Sequence, residues 1–357
     1  MMDFKKTCVD LQSCGVRVQD CCDGRKGGAG PSEGQVIIIK GHHLSVPTQS
    51  WYVESSPYEL RFLHNRAELF CSDSYVCPVE LPASPAYYKE QTSEGVLLEL
   101  IALIHGKACL ASTVFQDCVY WNSDDQCLFC GIGLSLANGT TILEKKSNDI
   151  GYAAGIASAQ GAAEHVTLTT GMRSAAADTV AHLCACVRAI KAQSGLPVHV
   201  QICPLDDLHI FDQLKDAGVD TVGIHVETGC AQTLQRTAPA KFSFGNKSYL
   251  DAWKYAVDVF GENQVSSFII AGMGENDASI LDLAGRLCEL GVFPYLLPLR
   301  PVPGTAMEKC CPPDSRRMYG LYVQVAALLK ENGMTSSRSK AGCVRCGSCS
   351  ALALFEA

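Results

Sequence analysis

The chain has 357 residues, 47% of them hydrophobic and 18% charged, enough apolar material for one large domain or a domain with an extension. Lys and Arg number 29 against 37 Asp and Glu, a formal net charge of −8, which argues against the broad basic face that nucleic acid requires. No apolar run reaches the roughly 18 residues of a membrane span, because the best, Val96 to Ile104, is broken by Glu99. The opening MMDFKKTCVDLQSCGVRVQD lacks the apolar centre of a secretory signal, so no membrane is expected and the location expected is cytoplasmic. There are 20 cysteines, below the roughly 8–10% that marks a disulfide scaffold. Without an export signal they read as thiols and metal ligands rather than bridges. Free cysteine is also a common small core residue, so spacing has to decide.

Residues 1–35 read as irregular. They hold Cys8, Cys14, Cys21 and Cys22, then the turn-rich tract GRKGGAGPSEG, Gly24 to Gly34. Glycine and proline at that density disfavour a regular element. The tract reads as a linker or packed loop, since it lacks the Lys-Ser/Thr ending of a P-loop. From Gln35 to about Tyr88 the β-like runs VIIIK and WYVE alternate with Pro and Ser, which predicts a small β-rich subdomain within an extension over residues 1–106.

From Lys107 to Thr305 the texture changes to strand–helix units. The predicted strands are Cys109–Phe115, His165–Thr169, Val198–Ile202, Thr221–Val226, Val265–Ala271 and Phe293–Leu299. Gly161, Gly195, Gly218, Gly261 and Gly291 stand just before the later strands, where glycine closes a helix in the left-handed conformation. Ser147, Ser248 and Asn276 stand where N-caps would stand. Strand, helix, glycine, strand is the signature of right-handed βαβ crossovers and a parallel sheet. A closed eight-stranded barrel needs about 250 residues, so a six-unit open barrel or a doubly wound sheet fits residues 107–305 better. A helix from Ser315 to Asn332 follows, ending at Gly333, and then a Cys-rich tail, within residues 306–357.

The first predicted strand runs into QDCVYWNSDDQCLFCGIG, with Cys118, Cys127 and Cys130 spaced Cys-x8-Cys-x2-Cys. Three thiolates on one loop can hold three irons of a [4Fe-4S] cluster and leave the fourth open. The loop leaves the C-terminal end of a strand, where active sites of parallel α/β folds sit. The alternatives are a zinc site missing its fourth ligand and unrelated core thiols. His105 and His165 have no finger-like spacing to the loop.

Cys127-Leu-Phe-Cys130, with an aromatic before the last cysteine and after the first strand of a β/α repeat, resembles the cluster loop of radical S-adenosylmethionine (SAM) enzymes. The usual spacing there is Cys-x3-Cys-x2-Cys. The last pair matches and the first gap is five residues longer, a departure that falls on Cys118. The resemblance implies an α/β fold, a partial (β/α)6 TIM-like barrel, carrying here a β-rich N-terminal extension and a Cys-rich C-terminal tail. It implies further site residues. Thr169, Thr170 and Gly171 stand at the Gly-Gly-Glu-like turn that contacts the amino group of SAM; no Glu is present, so only the backbone role carries over. His225 and Glu227, on one face of the fourth strand end, would face SAM and substrate. Ile270, Gly272 and Glu275 match the Gly-x-Ile-x-Gly-x-x-Glu segment that lies against the adenine. Arg300 would meet an anionic group, and His225, Glu227 and Arg300 are the candidate catalytic residues. Any one of these could instead make only a structural hydrogen bond.

Cys343, Cys346 and Cys349 form a second run, Cys-x2-Cys-x2-Cys, similar to part of a ferredoxin ligand set. The fourth position falls on Ala353. An auxiliary [4Fe-4S] cluster is the reading taken, with the fourth ligand from elsewhere or absent. Cys310, Cys311, Cys71 and Cys77 are unranked candidates for it. Structural zinc and a thiol-rich tail are the alternatives. Cys184, Cys186 and Cys288 read as core or surface thiols.

Over its whole length the chain resembles a bacterial radical SAM branch related to biotin synthase and often encoded beside a nitrilase-like gene. The branch carries LQS-x-GVR, the GRKGGAGP tract, PLRPVPGT and a terminal AGC-x-x-C-x-x-C, all present here. The resemblance implies reductive cleavage of SAM, with an electron from a reduced flavodoxin or ferredoxin, to a 5′-deoxyadenosyl radical that abstracts hydrogen from a small-molecule substrate. Sulfur insertion from the auxiliary cluster, as in biotin and lipoyl synthases, is one continuation. Rearrangement or oxidation of a small nitrogen-containing metabolite is another. The readings from other classes are a non-catalytic iron–sulfur carrier or scaffold and a zinc-stabilised binding protein.

Overall fold

A computed structural model describes residues 3–18, 33–63 and 66–356; Cys21, Cys22 and most of the Gly-rich tract lie outside them. The chain opens on a helix, α1 (Phe4–Cys14), where irregular structure was expected. Asp3 caps it by accepting the Lys6 N–H at 3.1 Å, and Gly15 ends it at φ 74°. Its residues Cys8 and Leu11 pack into the core of the extension, while Val9 joins the main core.

The extension is β-rich as expected. Strands β1 (Arg17–Val18), β2 (Gln35–Ile39), β3 (His42–Val46), β4 (Tyr58–Leu63), β5 (Arg66–Cys71) and β6 (Ser74–Val79) form a β2–β3 hairpin and a four-stranded sheet in the order β1-β4-β5-β6. The WYVE run is not a strand but a short 3-10 turn over Trp51–Ser55.

The main sheet has seven strands. β7 (Leu103–His105) pairs antiparallel with β8 (Cys109–Thr113). β9 (His165–Thr169), β10 (Val198–Gln201), β11 (Thr221–Gly223), β12 (Val265–Ala271) and β13 (Val292–Pro298) follow in parallel, each beside its predecessor. A doubly wound sheet reverses its strand order at a switch point; this one never reverses, and it curls into a half-barrel. The helices between are α2 (Ile132–Ala137), α3 (Ser147–Ala159), α4 (Ala176–Ser194), α5 (Ile210–Ala217), α6 (Ala231–Thr237), α7 (Pro239–Phe260) and α8 (Asp277–Glu289). Gly195 and Gly218 close α4 and α5 in the left-handed conformation, at φ 65° and 103°. Asn276 caps α8 by accepting the Ser279 N–H at 2.8 Å. Ser147 is instead the first helical residue, after Lys146, and Ser248 lies inside α7, which kinks at Gly245. Cys184, Cys186 and Cys288 are buried in the main core.

After α9 (Ser315–Glu331) the tail returns beneath the N-terminal ends of the strands through α10 (Gly342–Cys346). The Gly342 N–H donates to Nδ1 of His165, the first residue of β9, at 3.2 Å. A Cβ on Gly342 would lie 2.5 Å from His199 Cγ, and its φ is 87°. Only glycine fits both demands. Ser348 O accepts from Ser45 N–H at 2.8 Å and from Gln12 Nε2 at 3.0 Å, so the tail also ties the extension to the barrel. Among the described residues no helix is long and apolar enough to cross a membrane.

Candidate active site

The half-barrel encloses a cavity of about 410 Å³. Its wall follows the strand period of two: Cys109, Ala111 and Thr113 on β8, Thr167 and Thr169 on β9, Phe268 and Ile270 on β12, Tyr295 and Leu297 on β13. Cys118, Cys127 and Cys130 line it at the C-terminal ends of the strands; Cys343, Cys346 and Cys349 line it beside the tail.

Backbone bonds hold the first cysteine loop. Val119 N–H donates to Met172 O at 2.9 Å, Leu128 N–H to Thr237 O at 2.8 Å, and Cys130 N–H to Cys127 O at 3.0 Å. Gly171 lets the loop approach, since a Cβ there would stand 1.6 Å from Asp117 O. Burial pushes the Cys127 thiol up to about 12 and Cys130 up to about 11, with the neighbouring thiols adding to the effect and Lys241 opposing it. Alone, these groups stay neutral; a bound iron centre reverses that by taking them as thiolates. Three soft sulfur donors without a carboxylate suit an iron–sulfur cluster or zinc. Among the described residues no three His, Cys, Asp or Glu side chains gather as one metal ion requires. A donor set of sulfur alone is one that an iron–sulfur cluster accepts.

Beside this loop lies a buried charge pair. Lys241 Nζ donates to Glu227 Oε1 at 2.5 Å and to His225 O at 2.7 Å. Burial works to lower the lysine, but Glu227, Tyr249, Cys203 and Cys127 together outweigh it and hold the ammonium well above the usual range. His225 stacks on Phe268 with ring centroids 3.7 Å apart, and its Nδ1 accepts the Phe268 N–H at 3.1 Å. Burial depresses it far below the ordinary histidine range, so it is a neutral ring with the proton on Nε2. Glu227 Oε2 and His225 Nε2 are buried without a hydrogen-bond partner.

Of the residues expected from sequence, Thr169, Thr170, Gly171, His225, Glu227, Ile270, Arg300 and both cysteine runs line the cavity. Gly272 and Glu275 do not. The Glu275 carboxylate accepts the N–H groups of Gly272 at 2.7 Å and Met273 at 2.9 Å, shaping the turn after β12. Two Arg300 nitrogens donate to Ser45, at 2.8 Å and 3.2 Å. None of Cys71, Cys77, Cys310 or Cys311 lines the cavity; Cys77 lies in the core of the extension and Cys311 is exposed. Sequence reasoning missed Lys241, Cys203, Cys109 and His105, which all line it. Cys203 follows a predicted strand end and Cys109 begins one, so position alone marked both.

Residues 124–287 match the family model of the Radical SAM superfamily, a span that takes in Cys127 and Cys130 and stops before the tail. A curated relative, bacteriochlorophyllide c C-7(1)-hydroxylase of Chlorobaculum limnaeum, is 24% identical over 135 residues, 37% of this chain; the match spans 33% of that relative's length. Among solved structures, HydG, a maturase of the [FeFe]-hydrogenase, is 18% identical with a TM-score of 0.48, covering 64% of this chain and 50% of its own. Methylornithine synthase (PylB) is 16% identical with a TM-score of 0.47, covering 62% of each chain.

Proposed function

We propose, on the match of residues 124–287 to the Radical SAM superfamily, that Cys118, Cys127 and Cys130 hold a [4Fe-4S] cluster with one iron left open to SAM, for chemistry on a small molecule lying deeper in the same cavity. The observation that carries this reading is the placing of both cysteine runs on one cavity of about 410 Å³. Together, bound cluster and SAM supply a 5′-deoxyadenosyl radical able to take hydrogen from an unactivated carbon, given an electron from a reduced flavodoxin or ferredoxin.

The chain's own part is placement and exclusion of water. The turn Thr169-Thr170-Gly171 offers backbone groups to the amino end of SAM. Ile270 forms an apolar wall for the adenine, and Glu275 fixes the turn that follows it. Glu227 and His225 present their unpartnered polar atoms toward SAM and substrate. Phe129, Phe268, Ile270 and Leu297 give the wall an apolar share that limits water at the site.

The tail cysteines carry an auxiliary [4Fe-4S] cluster. Because they share the cavity, a substrate between the two runs faces a sulfur source, which favours sulfur insertion. Two experiments test these readings. Anaerobically reconstituted protein given dithionite and SAM should form 5′-deoxyadenosine, and Cys127→Ala or Cys130→Ala should not, while Cys343→Ala should retain cleavage; a parent that forms none contradicts the reading. Labelled sulfide loaded into the protein should appear in the product, and a product without sulfur gain rejects insertion.

A further inference from the structure

The tail run has three cysteines, and its fourth ferredoxin-like position is Ala353. The fold brings another sulfur to it. Cys109 is the first residue of β8, buried and inward-facing, and Cys346 packs against it. Its antiparallel cross-strand partner is His105, so both side chains lie on one face of the sheet, about 5 Å apart at Cβ. That face fronts the tail: His105 Nε2 is 3.1 Å from Cys349 Sγ, and a Cβ on Gly106 would stand 2.4 Å from Cys346 Sγ.

Each of the four sulfurs lies against at least one polar group. Gln201 Nε2 lies 3.6 Å from Cys343 Sγ. Cys346 Sγ donates to Ser348 Oγ at 3.4 Å and to His105 O at 3.7 Å, and His105 attends Cys349 as above. Thr167 Oγ1 lies 3.2 Å from Cys109 Sγ. Hydroxyl protons rotate to suit, so Ser348 and Thr167 can turn theirs toward the sulfurs once these are thiolates. Hydrogen bonds of this kind orient cluster ligands and tune their iron.

We propose that Cys109 is the fourth thiolate of the auxiliary cluster, completing a set with Cys343, Cys346 and Cys349, and that His105 is a positioning residue that donates to Cys349. This inference rests on the auxiliary-cluster reading above. It assigns that cluster a role. With all four irons held by thiolates, no iron is vacant to anchor substrate, so the cluster serves as a source of sulfur or electrons.

The test uses the full chain with Cys118, Cys127 and Cys130 replaced by alanine, which isolates the tail site, reconstituted anaerobically. Iron and sulfide are counted and the reduced state is read by electron paramagnetic resonance. The expected baseline is about four irons per chain and a spectrum unmoved by added imidazole. Adding Cys109→Ala should lower the iron by half or more, or leave a shifted spectrum that a small thiol restores; Cys109→Ser should shift it without thiol response. His105→Ala should keep the iron and shift the spectrum. Full iron and an unaltered spectrum in Cys109→Ala, or ligand loss in His105→Ala alone, would overturn the assignment. Full iron in Cys346→Ala would instead overturn the auxiliary-cluster reading.

Discussion

Lys241 Nζ sits 2.5 Å from Glu227 Oε1, the lysine largely and the glutamate fully buried, on a glutamate whose backbone is left-handed at φ 71°. A non-glycine residue in that region carries a cost of about 1–2 kcal/mol. Its backbone is held by two bonds to β12: Glu227 N–H to Phe268 O at 3.2 Å and Ile270 N–H to Glu227 O at 2.8 Å. The turn aims the carboxylate into the cavity, and Lys241, from α7, meets it there. Helix and strand end are thus joined at the point where SAM and substrate are proposed to meet.

Removing one partner leaves the other charged and buried. Lys241→Met should therefore cost about 3–5 kcal/mol of stability, read by urea unfolding. Lys241→Met combined with Glu227→Leu should recover most of that loss. If the single variant is no less stable than the double, the pair does not matter in the way described.

Lys145 predicts a pH dependence. Burial pushes its ammonium down to about 7 from 10.5, although Nζ donates to Ile142 O at 2.7 Å and Gln116 Oε1 at 3.3 Å. The folded-state value is depressed, so between about 7 and 10.5 the unfolded chain keeps a proton the folded chain has released. Stability then rises with pH through that window, and the contribution is lost as pH falls through 7. From pH 7 to 9 the gain should be roughly 2–3 kcal/mol. Lys145→Met should flatten the slope, and equal slopes in parent and variant would contradict the assignment.

Gly171→Ala forces a methyl group onto Asp117 O and should displace the loop carrying Cys118. Iron bound through that loop should fall, and 5′-deoxyadenosine formation should drop by about tenfold or more, about 1.4 kcal/mol in barrier, with circular dichroism unchanged. Parental iron and parental cleavage would show that the loop tolerates the shift.

Arg300→Ala removes both donations to Ser45 and should loosen the β2–β3 hairpin from the barrel mouth by about 1–3 kcal/mol. Hydrogen exchange should quicken at hairpin amides and stay constant in α4 and α8. Uniform exchange across the chain would place the restraint elsewhere.

The strand–helix rhythm was legible because glycines such as Gly195 and Gly218 end helices through a local conformation that neighbours do not alter. α1 was overlooked because its buried positions include Cys8, Asp10 and Gln12, which obscure an apolar stripe; Asp3, its cap, was the available signal. The two cysteine runs stood out by spacing alone. Lys241 did not, because its partner is chosen by how α7 crosses the strand ends. The meeting of His105 with Cys349, 244 residues apart, exists only once the tail folds under the barrel. Gly272 and Glu275 fit a motif, yet their work is to shape a turn beside the cavity.

The central claim is that three loop thiolates leave one iron open to SAM. Pulsed electron paramagnetic resonance on the reduced, reconstituted protein, with SAM labelled with ¹⁵N at its amino group and ¹⁷O at its carboxylate, reads this directly. Coupling of both labels to the cluster is predicted in the parent and its absence in Cys127→Ala. A parent that holds its cluster and binds SAM yet shows no coupling would contradict the account.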